Sequence, residues 1–223
     1  MRVAVLGGHG KTGRAVVAAL TARGATAVPL GRADWTDLVA ALSGFDAAYV
    51  IAPNLHPDEP GYVSAVLAAL TRADVGRVVY HSVAAPYSPA MPHHLGKARS
   101  EDLVRRSGLD WTILQPGAYL QNLDLSGPVE VPYSLDVPFG FLDLADLGRA
   151  AAAVLTEAGH GGATYELATR LATVRELADE AGVAVTEVPD PETHPWLSAM
   201  FAYYDQHGLP VGTRPLECLL GRG

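Results

Sequence analysis

Cysteine is almost absent from this chain of 223 residues. Its single copy, Cys218, cannot close an intramolecular disulfide, which points to a reducing compartment. Positive charge is also scarce: 16 Lys and Arg stand against 24 Asp and Glu, giving a formal charge of −8 and a pI near 5.4. That balance offers no basic face to a phosphate backbone and argues against a nucleic-acid partner. Long apolar runs are missing as well. The N-terminal one passes into glycines too soon to be a signal-peptide core or a membrane span, so the expected location is the cytoplasm. Apart from the adjacent His93 and His94, the 8 histidines are dispersed, without acidic or cysteine partners at ligand spacing, so no metal site is expected. There is no Gly-x-Ser-x-Gly elbow, cysteine-nucleophile setting, internal repeat, charge block or low-complexity tract. What is present is an ordinary core-forming composition. At 49% hydrophobic residues and a mean hydropathy of +0.15, it suits one domain or one domain with a small lobe.

Short apolar runs alternate with amphipathic stretches through the first half. Strands are expected at Arg2–Leu6, Thr26–Leu30, Ala47–Ala52, Arg77–Ser82 and Trp111–Gln115, where apolar residues follow one another without polar alternation. Helices are expected between them at Thr12–Arg23, Trp35–Leu42, Gly61–Ala73 and Leu95–Ser107. Such alternation predicts an α/β fold with a doubly wound parallel sheet of the Rossmann type. After Pro116 the pattern loosens. Extended pieces at Val129–Tyr133, Thr164–Ala168 and Ala184–Val188 mix with helices at Leu144–Thr156, Val174–Glu180 and Trp196–Gln206. The expected division is a dinucleotide-binding core over residues 1–125. Residues 126–223 are expected to complete the sheet and form a small lobe over its carboxyl edge.

The densest signal is Leu6-Gly-Gly-His-Gly-Lys-Thr-Gly-Arg, which links the first strand to the first helix. The first amides of a helix lack partners and carry partial positive charge, so they attract a pyrophosphate if the backbone can approach. Gly7 permits the tight turn, Gly10 the phosphate contact, and Gly13 the packing of helix on strand. No Gly-Lys-Ser/Thr follows at P-loop spacing. His9, Lys11 and Thr12 within the turn, with Ala52 and Pro53 at the end of the third strand, join the glycines as candidate cofactor contacts. Arg32 closes the second strand, where an acidic residue would bind the adenosine ribose of NAD. A base there suits the 2′-phosphate of NADP instead, and Lys11 adds a second positive charge, so NADPH is expected over NADH. Asp34 stands close enough to compete for a ribose hydroxyl.

These residues resemble the NmrA-like group of atypical short-chain dehydrogenase/reductases. Gly-Gly-His-Gly-Lys-Thr-Gly resembles its nucleotide loop, and Val78-Val-Tyr-His-Ser-Val its central strand. The most specific match is His93-His-Leu-Gly-Lys-Ala-Arg-Ser-Glu followed by Ser107-Gly-Leu-Asp-Trp-Thr-Ile-Leu-Gln-Pro-Gly-Ala-Tyr-Leu-Gln-Asn. Phe141-Leu-Asp-Leu-Ala-Asp-Leu is similar to a later helix start, and the tail from Tyr203 to Arg222 to the closing segment. Two features depart from the pattern. The stretch from Arg32 to Leu38 is too short for the usual third Rossmann strand, which trims the adenine side of the pocket. The Tyr-x-x-x-Lys of short-chain dehydrogenases is replaced by His93-x-x-x-Lys97, with Tyr87 far out of register.

The resemblance implies that Lys97 contacts the nicotinamide ribose. Glu101, one turn on, reads as its structural partner. His93 is the candidate acid, because imidazole titrates near neutrality; His94 is a second. Ser82, at a strand's carboxyl end, is placed to orient a substrate oxygen, while His81 reads as a packed core histidine. By the same resemblance Tyr119 and Asn122 line the substrate region. Leu197, Met200, Phe201 and Tyr204 recur at helical spacing and suit packing or one wall of an apolar pocket. The expected activity is reduction by NADPH of a small planar carbonyl, quinone or enone, with secondary metabolism as a setting. The alternatives are an NADP-binding sensor without turnover, or a non-redox isomerase or cyclase on the same scaffold. The expected partner is a small-molecule substrate; the oligomeric state is left open.

Overall fold

Consecutive apolar residues in a strand need cover on both faces, and the order of elements provides it. In the computed structural model, which describes residues 1–222, the first half runs β1 (Arg2–Leu6), α1 (Lys11–Ala22), β2 (Thr26–Leu30), α2 (Leu38–Leu42), β3 (Ala47–Val50), α3 (Glu59–Arg72), β4 (Arg77–His81), α4 (Pro92–Arg105) and β5 (Asp110–Pro116). The second half adds β6 (Ala118–Tyr119), β7 (Val129–Val131), β8 (Phe139–Leu142), α5 (Leu144–Thr156), β9 (Ala163–Leu167), β10 (Arg170–Ala172), α6 (Val174–Ala181), β11 (Val185–Glu187), α7 (Pro195–His207) and α8 (Arg214–Leu219). The main sheet is six-stranded in the order β2-β1-β3-β4-β5-β9, parallel throughout. This is the predicted α/β, Rossmann-type sheet.

The two faces of the sheet take alternate residues. Val3, Val5, Tyr49, Val79 and Leu114 pack with Val16 and Leu20 of α1 and Leu147 and Ala151 of α5. Ala4, Leu6, Val50, Val78 and Ile113 pack with Val63, Val66 and Leu70 of α3 and Val104 of α4. Helices α1 and α5 meet closely because Gly148 has no side chain; a Cβ there would lie 2.6 Å from the Ala15 carbonyl oxygen. A third cluster forms the lobe, where Phe139, Phe141, Tyr204, Leu209 and Val211 are buried together with Met91. It includes a three-stranded sheet, β10-β8-β6, and a parallel pair, β11-β7.

Several segments differ from the expected elements. The helix expected over Trp35–Leu42 is a 3-10 helix, Arg32–Asp37, followed by the one-turn α2. Asp37 divides them by turning its carboxylate onto the Ala40 amide, 3.0 Å away, as the cap of α2. Among the described residues no strand lies outside β2, so the third Rossmann strand is missing there, as the short connection predicts. Helix α4 begins at Pro92 rather than Leu95, because proline at the first helical position loses no hydrogen bond. Strands β6, β8 and β10 and helix α8 were not anticipated from the sequence; each is short and has too little periodicity to stand out. Among the described residues no helix is long and apolar enough to cross a membrane.

Candidate active site

The glycine turn lies where β1 feeds α1. Gly7 holds φ +75°, a conformation that glycine adopts without strain, and its amide donates to the Leu30 carbonyl at 3.1 Å. Gly13 is forced by packing, since a Cβ there would collide with Gly7 O and lie 2.5 Å from Gly8 Cα. Helix α1 has no side-chain cap and no acidic residue in its first turn. Its leading amides therefore face outward without a protein partner, the arrangement that receives phosphate. Above them opens a cavity of about 590 Å³, lined among others by Gly7, Gly10, Thr12, Gly13, Arg32 and Pro53. Lys11 and Ala52 also line it.

Of the candidate contacts in the turn, His9 is the one that stays out of this lining. Its ring packs against Gly31, where a Cβ would lie 2.9 Å from His9 Cδ2. Asp34 does not compete for a ribose: its carboxylate accepts the Gly31 amide at 2.7 Å and closes the turn before the 3-10 helix. The Lys11 ammonium donates to Asn122 Oδ1 at 2.9 Å and to the Gln121 carbonyl at 3.4 Å, tying the turn to the loop after β6. Six residues not anticipated from the sequence complete the wall, Gly31 and Ile51 at the ends of β2 and β3 among them. Asn54 lies beside Pro53, and Trp35, Tyr62 and His56 form an aromatic strip, with the Trp35 and Tyr62 ring centroids 4.6 Å apart. Their only sequence signal was position, on segments that follow the carboxyl ends of β2 and β3.

Behind the cavity the expected catalytic residues are brought into one region but engaged in other ways. Helix α4 buries its polar face. Lys97, 6% exposed, does not pair with Glu101. Its ammonium lies 2.8 Å from Glu59 Oε1 and donates to the His81 carbonyl at 3.1 Å, and it lines none of the cavities described here. The Tyr80 hydroxyl donates to the same Glu59 oxygen at 2.6 Å, leaving Oε2 buried without a partner. Glu101 is fully buried and takes Ser82 Oγ at 2.5 Å, Gln115 Nε2 at 2.7 Å and Arg105 at 3.0 Å. The Ser82 hydroxyl is thus spent on a carboxylate, which corrects its expected role in orienting substrate.

His93 and His94 also depart from expectation. Both belong to α4 and are buried, and burial lowers each imidazole to about 4, so both are neutral near pH 7. Neither is the near-neutral acid that the sequence suggested. The His93 ring stacks with Trp196 at 6.4 Å beside a smaller cavity of about 210 Å³, and His94 Nε2 meets the Tyr204 hydroxyl at 3.2 Å. His81 is a core histidine, as its place on the strand suggests. Burial lowers it to about 3, and it links the Tyr49 hydroxyl at 2.7 Å to the Tyr119 hydroxyl at 2.8 Å. Burial raises the Tyr119 phenol above its ordinary range. Tyr119 and Asn122 line none of these cavities; they close the network over Thr12 and Lys11 instead.

An uncapped helix start beneath a cleft, with glycines that a side chain would fill, is the shape of a dinucleotide cradle. Comparison with known proteins agrees: residues 25–158 match the family model described as NAD(P)H-binding. The chain belongs to the NAD(P)H-binding family. The family match begins after the glycine turn, whose reading rests on its own geometry. The NAD(P)H azoreductase of Xenophilus azovorans is 30% identical over 57% of this chain and 47% of that protein. Quinone oxidoreductase 2 of Escherichia coli (strain K12) is 29% identical over 75% of this chain and 63% of its own length. The chain thus spans about half to just under two thirds of the lengths of these curated relatives. Crystal structures of other proteins share this fold. The Escherichia coli quinone oxidoreductase QOR2 with NADPH superposes with a TM-score of 0.78 at 23% identity, covering 98% of this chain and 94% of that one. A mutant NmrA gives 0.78 at 17% identity, covering 99% and 91%.

Proposed function

We propose that the chain is an NADPH-dependent reductase of a small planar carbonyl, quinone or enone. The observation that carries this reading is the cavity over the uncapped start of α1, with the exposed Arg32 in its lining and free of any ion pair among the described residues. The α1 amides bind the pyrophosphate, and Arg32 binds the 2′-phosphate that distinguishes NADPH from NADH. The strip of Trp35, Tyr62 and His56 flanks the adenine side in place of the missing strand. When bound, the reduced nicotinamide supplies the hydride. The protein's groups offer no ready acid at neutral pH: His93 and His94 are neutral, the Tyr119 phenol is raised, and Ser82 is bonded to Glu101. Water therefore delivers the proton to the reduced substrate. The relatives named as an azoreductase and a quinone oxidoreductase support the redox reading and the class of acceptor.

A second reading, a sensor that holds NADP without turnover, is favoured by the pairing of Lys97 with Glu59, which removes a free ammonium from the cofactor's side. The test is to titrate NADPH and NADH by fluorescence, then to follow cofactor absorbance with quinones, enones and ketones. Tight NADPH binding with oxidation by one of these acceptors is the expected result. Tight binding without oxidation by any of them moves the assignment to the sensor, and no binding of either nucleotide overturns both readings.

A further inference from the structure

A second large cavity, of about 600 Å³, lies beyond the carboxyl ends of β5 and β9. It is bounded by the β4–α4 loop and by α7, and it shares no lining residue with the cavity over the glycine turn. Most of its wall is Ala, Pro and the rings of Tyr87 and Tyr203. Besides the small hydroxyl of Ser88, two acceptors interrupt that apolar wall. Gln115 is only 6% exposed, and its Nε2 is fixed on the Glu101 carboxylate at 2.7 Å. A carboxylate accepts only, so the amide nitrogen must face it, and Gln115 Oε1 is left without a protein partner on the opposite side, where the residue lines the cavity. The second is Glu166. Its carboxylate has no cationic partner among the described residues, and its one hydrogen bond is a long contact of 3.5 Å from the Ala85 amide. Nearby Glu101 is already matched by Arg105, so one negative charge stays uncompensated at this wall. Ala85, which also lines the cavity, holds φ +49°, an unfavourable conformation for a residue with a Cβ.

We propose that this cavity binds an aromatic ligand bearing a positively charged nitrogen with N–H groups. Such a nitrogen satisfies both Gln115 Oε1 and Glu166, and the ring lies against Tyr87 and Tyr203, whose faces attract cations. An anion would be repelled by the unpaired Glu166 carboxylate and would find only the neutral hydroxyls of Ser88, Tyr87 and Tyr203 as donors, and a neutral ring leaves Glu166 without a cation. The volume, within the range of about 300–1,000 Å³ typical of ligand pockets, accepts a ligand of several rings. That this ligand is the substrate of the reductase rests on the preceding reading; the occupancy of the cavity does not.

Benzamidine is the probe, with benzamide and benzoate as its neutral and anionic counterparts, each titrated into the full chain by heteronuclear NMR. Benzamidine is expected to shift the backbone amides of Ala85, Ser88, Gln115 and Glu166 and to bind at least fivefold more tightly than either counterpart. Glu166 is exposed, so Glu166→Gln should fold normally and weaken benzamidine at least threefold while leaving benzamide unchanged. Tyr203→Ala should weaken both. Equal binding of the three probes, shifts confined to other regions, or full affinity in Glu166→Gln overturns the proposal. NADPH added to the same sample is read at the amides of Gly7, Lys11 and Gly13. The cofactor reading can therefore fail while the cavity assignment stands, and the reverse.

Discussion

Lys97 shows how one side chain changes meaning when its neighbour is known. A lysine one turn from a glutamate on a helix reads as a surface pair worth a few tenths of a kcal/mol. Buried against Glu59 it is half of a desolvated ion pair, and removing one partner strands the other. Lys97→Ala should therefore cost about 3–5 kcal/mol in denaturant unfolding, whatever the residue does for the cofactor. Glu59→Gln combined with Lys97→Met removes both charges and should recover most of that loss. NADPH affinity of the double variant then reads the lysine's cofactor role separately from its structural one. Gly13→Ala should destabilise by about 2–3 kcal/mol, because the new methyl falls on the turn backbone, and NADPH binding should be lost with it. Arg32→Glu leaves packing intact, since the side chain lies at the cavity rim. It should weaken NADPH by about tenfold or more and leave NADH nearly unaffected, as measured by fluorescence titration.

At the scale of elements, the glycine turn was legible because strand, turn and helix are contiguous in sequence and their requirements are local. Helix α4 was legible as a helix, but the partners of its polar face were not. Its polar residues His94, Lys97, Ser100 and Glu101 are all buried, because α3, β4 and α7 bring partners that no spacing rule reveals. The single helix expected over Trp35–Leu42 was misread. Its helical periodicity could not outweigh Asp34 and Asp37, whose carboxylates cap successive short turns. Helices α1 and α5 depend on one close approach at Gly148. Gly148→Val should push α5 off α1 and lower the melting temperature by several degrees, equivalent to about 1–3 kcal/mol, measured by calorimetry.

For the molecule as a whole, the buried histidines set the acid limit. In the unfolded chain each takes up a proton near pH 6.5, but in the folded chain His93 and His94 hold out to about 4 and His81 to about 3. Between these limits the unfolded state binds more protons, so stability falls as pH drops from about 6.5 towards 4 and is unaffected by these groups above 7. Scanning calorimetry from pH 7 to pH 4 should show a steadily falling midpoint. His94→Gln, which retains polar contact with Tyr204, should flatten that slope. One carboxylate acts differently: burial pushes the Asp146 carboxyl up, but hydrogen bonds from Arg222, Arg149 and Thr169 hold it below its usual range.

The alternation of apolar strands with amphipathic helices determined the parallel sheet, since each pattern can bury its apolar residues in only one kind of layer. Glycine spacing likewise determined the cradle, because backbone room at Gly7 and Gly13 is a property of those residues alone. Tertiary structure decided which charges meet and which polar groups are spent. Glu59 claims Lys97, Glu101 claims Ser82 and Gln115, and Asn122 holds Lys11, all across elements far apart in the chain. Such pairings depend on how helices dock on the sheet, and in a desolvated interior each buried charge takes the nearest partner that docking supplies.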